Sequence, residues 1–387
     1  MKTVVLGTGM IGAMIARELA KSPEIASVLA VDASGDTVNR CVAEAGADVP
    51  AGKLRGRVAD VSAPEVLSEL MADADLAVGA LPHSLSMVTT RAAIAARCHL
   101  IDLVGSAFRE KAALHEHASG ADVLIVPGLG VAPGLANVLC ARGVELLDET
   151  DRAEILCGGI PRHPLPPLWY QVVFRLESVF GLFTRPASAV VDGKYVTLPP
   201  LSGLEPCRFP EPVGECEAVI TDAHSVAFTL AGRIKTLYEK TVRYRGHWQK
   251  MQTLAELGYL ADAPIDVEGQ MVSPRRFSMA LLGPQMKGAS NEDITVLRVT
   301  VTGTRAGRPV RHEWEMVDLY DRVRSMPSMT KTTGFPVVIF ARWLAEGSVP
   351  ERGVLAPEQL LATHRFDAFL AELQACGVEV STTSPNA

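Results

Sequence analysis

Apolar and polar positions follow two different periods along the chain, and the change from one to the other divides it. In the first third, short β-branched runs alternate with stretches of helical spacing. The runs are TVVLG from Thr3, VLAVD from Val28, DLAVGAL from Asp75, HLIDLVG from His99 and DVLIVPG from Asp122; APEVLSELMADA and MVTTRAAIAARC are among the helical stretches. That alternation predicts parallel strands joined by crossover helices. From about Asp151 the period becomes two, in DRAEILCGG, ASAVVDGKYVTL, EAVITDA, ITVLRVTVTGTRAG and VRHEWEMVDLY, with the proline-dense GGIPRHPLPPLW near its start. A second, mostly antiparallel sheet is expected there. Helical spacing returns at FPVVIFARWLAEG and RFDAFLAELQAC. The expected fold class is therefore α/β. A Rossmann doubly wound parallel sheet, residues 1–135 completed by 335–387, carries an inserted α+β domain, 136–334, with a mostly antiparallel sheet.

Composition narrows the partners. At 387 residues the chain exceeds one ordinary core, and 48% hydrophobic with 21% charged residues reads as globular. A formal net charge of −7 leaves no broad basic face for a nucleic acid. The most apolar stretch, VLIVPGLGVAPGLANVLCA from Val123, is broken by three glycines, two prolines and Asn137, so no membrane partner is expected. Gly7 and Gly9 break the apolar N-terminus in the same way, and no secretion signal is read there. Seven scattered cysteines without a C-x-x-C pair predict neither a disulfide framework nor a zinc or other metal site, and fit a reducing cytoplasm.

LGTGMIG places Gly7, Gly9 and Gly12 in G-x-G-x-x-G, after a strand and at the opening of a helix. Glycines permit the tight turn and the close approach of a pyrophosphate. The backbone of Thr8, Met10 and Ile11 would then face the phosphates at the helix N-terminus. Asp32, 20 residues after Gly12, ends the second strand, where a carboxylate accepts the ribose hydroxyls and repels a 2′-phosphate; NAD rather than NADP is expected. Asp60 and Val61 should close the third strand, reaching the adenine amino group or capping the next helix. Ala80, Leu81 and Pro82, after the fourth strand, should line the nicotinamide side.

The loops GALPHSLS, DLVGS and PGLGVAPG lie where a doubly wound sheet gathers its ligands. His83 there either touches the chemistry or follows a turn proline. Asp102 either touches the chemistry or caps a loop, and Asn137 either holds a substrate amino group or fastens its turn. The stretch KTVRYRGH, Lys240 to His247, is the one dense basic cluster. Read as a strand, it sets Thr241, Arg243, Arg245 and His247 on one face and Lys240, Val242 and Tyr244 on the other. Such a face either awaits an anion or protects a sheet edge.

The chain resembles the saccharopine dehydrogenase-like family, and within it the L-lysine 6-dehydrogenases. The residues that carry the likeness are the Gly7–Gly12 turn, GLGVAPGLANVL, GGIPRHPLPPLWYQVVF, YEKTVRYRGH, TTGFP and GVLAPEQL. The resemblance implies a Rossmann domain, a substrate domain that also forms a homodimer or larger homo-oligomer, and NAD-dependent oxidation of the lysine side-chain amine to the 6-semialdehyde. Saccharopine or a related opine or polyamine carboxylate is the alternative substrate class, and NAD binding without turnover the alternative role. An amino-acid substrate supplies an α-carboxylate that a guanidinium grips in a bidentate fork; Arg243 is the first candidate, with Arg245 and Lys240 beside it. Hydride cannot leave the carbon next to a protonated amine, and neutralising lysine at pH 7 costs roughly 4 to 5 kcal/mol. His83 and His247 are the candidate bases.

Overall fold

The computed structural model describes residues 1–172, 176–288 and 290–383. The end of the WYQVVF motif, at 173–174, and the end of the polar tail, 384–387, lie outside the described residues. Two compact units emerge. One is Met1–Arg142 with Thr330–Val378, and the other Gly143–Met329 with Glu379–Ala387. The helix Leu135–Glu145 runs across the first junction, so the division falls within a helix and not in a loop.

The first unit carries a parallel sheet. Its strands are β1 (Lys2–Leu6), β2 (Ser27–Asp32), β3 (Leu54–Val58), β4 (Leu76–Gly79), β5 (His99–Asp102) and β6 (Leu124–Pro127). They lie in the order β3-β2-β1-β4-β5-β6, with the short strand Gly353–Val354 parallel beyond β6. This is the Rossmann arrangement expected from the sequence. The order reverses between β1 and β4, and ligands of such sheets gather at the carboxyl ends flanking that point. β4 and β6 are buried throughout and β1 at every residue after Lys2, because helices cover both faces. One cover is the helix Met10–Lys21. The helix Ser328–Ala345 packs on it within the first unit, where a side chain on Gly334 would meet Met14 and Ile15.

The second unit is built on a nine-stranded sheet. Its main path runs Glu205–Phe209, Gly214–Thr221, Ile234–Tyr244, Glu149–Pro161, Asp293–Arg305, Arg308–Leu319 and Ser381–Thr383; the hairpin Ala187–Val191 with Lys194–Leu198 branches from Ile234–Tyr244. Every neighbouring pair is antiparallel except Ile234–Tyr244 with Glu149–Pro161, which is parallel. The strand bearing the basic cluster is therefore interior, paired on both sides, and the edge-protection reading of it does not hold. Its tight seating explains Gly158, since a Cβ there would collide with the Val242 carbonyl. One sheet face packs Leu156, Val242 and Val296. The other lies under the aromatic cluster of Tyr170, Phe180, Phe183 and Trp248.

Among the described residues no helix is long and apolar enough to cross a membrane, and no cluster of ligating side chains suits a metal ion.

Candidate functional site

The glycine turn is shaped by contacts that only glycines allow. Gly7 has φ +93°, a left-handed backbone, and a Cβ there would overlap the Ala80 carbonyl. A Cβ on Gly12 would overlap the Gly7 carbonyl, whereas one on Gly9 would meet nothing within 4 Å. Gly7 and Gly12 thus serve the fold, and Gly9 opens space in front of the helix. No side chain caps the start of the helix Met10–Lys21, so its first amides are free to face an anion. Met10 is exposed and Ile11 half-buried. The Asp32 carboxylate is pinned beside this turn. Its Oδ2 accepts from Thr8 N at 2.7 Å and its Oδ1 from Ser34 N at 2.9 Å. Thr8 in turn donates its hydroxyl to Thr37 at 2.9 Å. Free space, unpaired helical amides and a fixed acid at the end of β2 fit an adenine dinucleotide.

Of the two alternatives for the residues after β3, the helix-cap one does not hold. Asp60 is exposed and accepts from Ser62 N at 2.9 Å, in a turn ahead of the helix Pro64–Ala72, whose N-cap is Ala63; it is not the cap. The Val61 side chain is buried in the hydrophobic core.

Ala80, Leu81, Pro82 and His83 are half-buried at the carboxyl end of β4. His83 Nδ1 lies 3.0 Å from the Ser106 hydroxyl, which ties the loop after β4 to that after β5. Asp102 is turned inward. It is 2% exposed, Lys111 is fully buried, and the two form an ion pair at 3.1 Å. Ser86 donates to the same carboxylate, which also accepts from Val104 N at 2.9 Å. Asp102 is therefore a loop-fastening group, and the expectation that it meets the chemistry is corrected: an acid so enclosed has no face left for a substrate. Asn137 is likewise fully buried, its Oδ1 accepting from Gly134 N at 3.2 Å within the turn.

In the second unit the basic cluster comes apart. The strand ends at Tyr244, the chain turns at Arg245–Gly246 with Gly246 at φ +87°, and His247 opens the helix His247–Glu256. Arg245 and His247 do not extend the strand face; Arg245 is exposed in the turn. Lys240 points to the opposite face, where Glu154 at 2.8 Å and Glu205 neutralise it, so it is not a substrate contact on the Arg243 side. Arg243 is the residue left. It is 1% exposed, its guanidinium stacked 4.4 Å from the centre of the Tyr170 ring and 5.6 Å from that of Trp248. One nitrogen donates to Val242 O at 2.8 Å, and Nε has no hydrogen-bond partner among the described residues. Burial pulls its pKa down from the ordinary arginine value. The acid directly opposite across the strands, Glu217, instead accepts from Trp248 N at 2.7 Å. The helix N-terminus has thus claimed the carboxylate that register would have given to Arg243.

His247 still reaches this environment, its ring 5.1 Å from that of Tyr170. Its Nδ1 lies 2.9 Å from Leu168 O, and its Nε2 has no hydrogen-bond partner among the described residues. Burial, with Arg243 adding to it, pushes its pKa down to about 3. It is neutral at pH 7 but too weak a base to take a proton from an amine, which corrects its assignment as a neutral-pH base.

With this geometry established, comparison with known proteins is decisive on family. A model described as saccharopine dehydrogenase NADP binding domain matches residues 3–126, and one described as saccharopine dehydrogenase C-terminal domain matches 130–378. The chain belongs to the saccharopine dehydrogenase family. The apo saccharopine dehydrogenase (L-Glu forming) of Saccharomyces cerevisiae has the same fold, with TM-score 0.77 at 19% identity over 99% of this chain and 100% of that one. The mitochondrial alpha-aminoadipic semialdehyde synthase of Mus musculus is 22% identical over 82% of this chain and 41% of its own length. That of Bos taurus is also 22% identical, over 83% and 42%. This chain spans about two fifths of those relatives. Family membership makes the first unit a nicotinamide-dinucleotide domain of an oxidoreductase family.

The glycine geometry separates fold from ligand. Gly12→Ala is expected to lower the melting temperature by several degrees, through an overpacking cost of about 1–3 kcal/mol. Gly9→Ala should leave melting unchanged and weaken dinucleotide binding at least about tenfold. Calorimetric titration and thermal melts of both variants check this, and equal loss of stability in both would contradict it.

Proposed function

We propose that the protein catalyses NAD-dependent oxidative deamination of the side-chain amine of L-lysine or a close amino-acid analogue. The observation that carries this reading is the buried Arg243 guanidinium, which makes no ion pair among the described residues and whose Nε is left without a hydrogen bond there. A charge so placed is costly unless something ionic completes it, and a bidentate α-carboxylate matches its fork. The balance of the reaction is simple. NAD, when bound, would supply the hydride acceptor: the substrate ammonium would lose a proton, the ε-carbon would give up hydride, and water would add to the iminium. The semialdehyde and ammonia leave. His83 is the candidate base that remains once His247 is set aside, being half-buried beside the loop after β4. The Asp32 carboxylate favours NAD, because a 2′-phosphate would meet a fixed negative charge.

We also infer a homo-oligomer through the second unit. Exposed apolar side chains concentrate in one stretch of it, among them Leu257, Ile265, Met271, Phe277 and Leu281. Large exposed apolar patches mark association sites, and these side chains are the candidates to form one. Among the described residues the seven cysteines form no disulfide, which suits the reducing cytoplasm in which we place the protein.

Absorbance of the reduced cofactor should rise with lysine and NAD, at least about tenfold faster than with NADP. Arg243→Met should cut kcat/KM for lysine about 100-fold with NAD affinity unchanged. Silence with lysine alongside turnover of saccharopine would move the assignment to the saccharopine class, and tight NAD binding with no turnover of either would leave a binding protein. Light scattering should give more than one chain per particle, with Met271→Lys shifting it towards the monomer; a monomer at micromolar concentration would contradict the association.

A further inference from the structure

The strand that carries Arg243 holds a second unpaired group on the same face. Glu239 lies four residues earlier, hence about 13 Å along the strand, with Thr241 between them. It is 5% exposed, and its Oε2 has no hydrogen-bond partner among the described residues. The face between the two is polar but uncharged: the Thr241 hydroxyl lies 2.9 Å from that of Thr221, and Cys157 stands directly across from Thr241. The Cys157 thiol senses both ends, raised by Glu239 and lowered by Arg243, although burial is the larger influence on it. Acid and guanidinium thus share one buried face, and neither has an ionic partner among the described residues.

A second acid, Asp222, lies close enough to Glu239 to act on it. Burial pushes the Glu239 carboxyl well above the usual carboxylate range, and Asp222 adds to that shift. Burial also works to raise Asp222, yet the His224 ring and then the Ser188 hydroxyl hold that carboxyl below its ordinary value, so it stays ionised. Asp222 is fixed by His224 N at 3.1 Å and by the Ser188 hydroxyl, with His224 Nδ1 3.2 Å away. His224 has φ +54° and ψ −131°, a backbone conformation strained for a non-glycine residue. Strain of that kind persists where its surroundings over-determine it, and it clusters at ligand sites.

We propose that Glu239 is the specificity-determining residue for the far end of the substrate. With the α-carboxylate on Arg243, it takes the side-chain ammonium of a diamino acid and disfavours any substrate that brings a second carboxylate there. This rests on the amino-acid reading above and adds to it a choice between the two substrate classes. A cation lying against Glu239 and Asp222 satisfies the orphaned Oε2. A second carboxylate would face two acids in a buried setting, where like charges cost most.

The test compares L-lysine with 2-aminohexanoate, which has the same chain and α-groups without the side-chain amine. Each is titrated calorimetrically into the NAD complex of the wild-type protein, Glu239→Gln and Glu239→Asp. Wild type should prefer lysine at least about tenfold, the worth of one buried charge-assisted hydrogen bond. Glu239→Gln should bring the ratio near one with 2-aminohexanoate affinity unchanged, and Glu239→Asp should recover part of the preference. A purely structural role would weaken both ligands and NAD together, which would overturn the proposal. So would a lysine preference that survives in Glu239→Gln, leaving the Arg243 reading intact. A wild-type protein that binds neither amino acid would overturn both. The wild-type ratio alone tests the idea should a variant fail to fold.

Discussion

A guanidinium buried against two aromatic rings, on the covered face of a sheet and with no ion pair among the described residues, is the constraint on which the chemistry of the second unit depends. Desolvating a charge costs several kcal/mol unless it is paired. Here ring stacking and one carbonyl supply only part of the compensation. The usual remedy was within reach, because Glu217 stands across from Arg243, yet its carboxylate is engaged at the amide of Trp248. Burial in the same cluster, with the Arg243 charge adding to it, also lowers His247.

The first unit rests on steric constraint more than on charge. Gly7 and Gly12 let the turn after β1 close on itself and on the loop after β4, and this contact fixes the mouth of the sheet where its strand order reverses. Behind it the buried Asp102–Lys111 pair, with Ser86, holds the loops after β5. Removing one partner would strand the other charge, so the pair is better understood as a fastening than as a reactive group.

Much of this was legible in the sequence where local rules govern. The βα alternation, the period-two strands and the glycine spacing each reflect backbone geometry that neighbouring residues enforce, and the matching sheets are found. What misled was the run from Lys240 to His247. Period two holds for Thr241 and Arg243, but Gly246 at φ +87° ends the strand and starts a helix, which no alternation rule announces at RYRGH. Lys240 and Asp102 were out of reach for another reason. Their partners, Glu154, Glu205 and Lys111, are distant in sequence or unmarked by any motif. Glu239 had a usable signal: extending the same alternation two residues toward the N-terminus, through YEKTVR, puts it on the Arg243 face.

The most direct measurement is a crystal structure of the protein grown with NAD and L-lysine. The lysine α-carboxylate should lie in bidentate contact with the Arg243 guanidinium. Ordered lysine elsewhere, with that guanidinium still resting on Tyr170 and Trp248 and facing no ligand, would contradict the account.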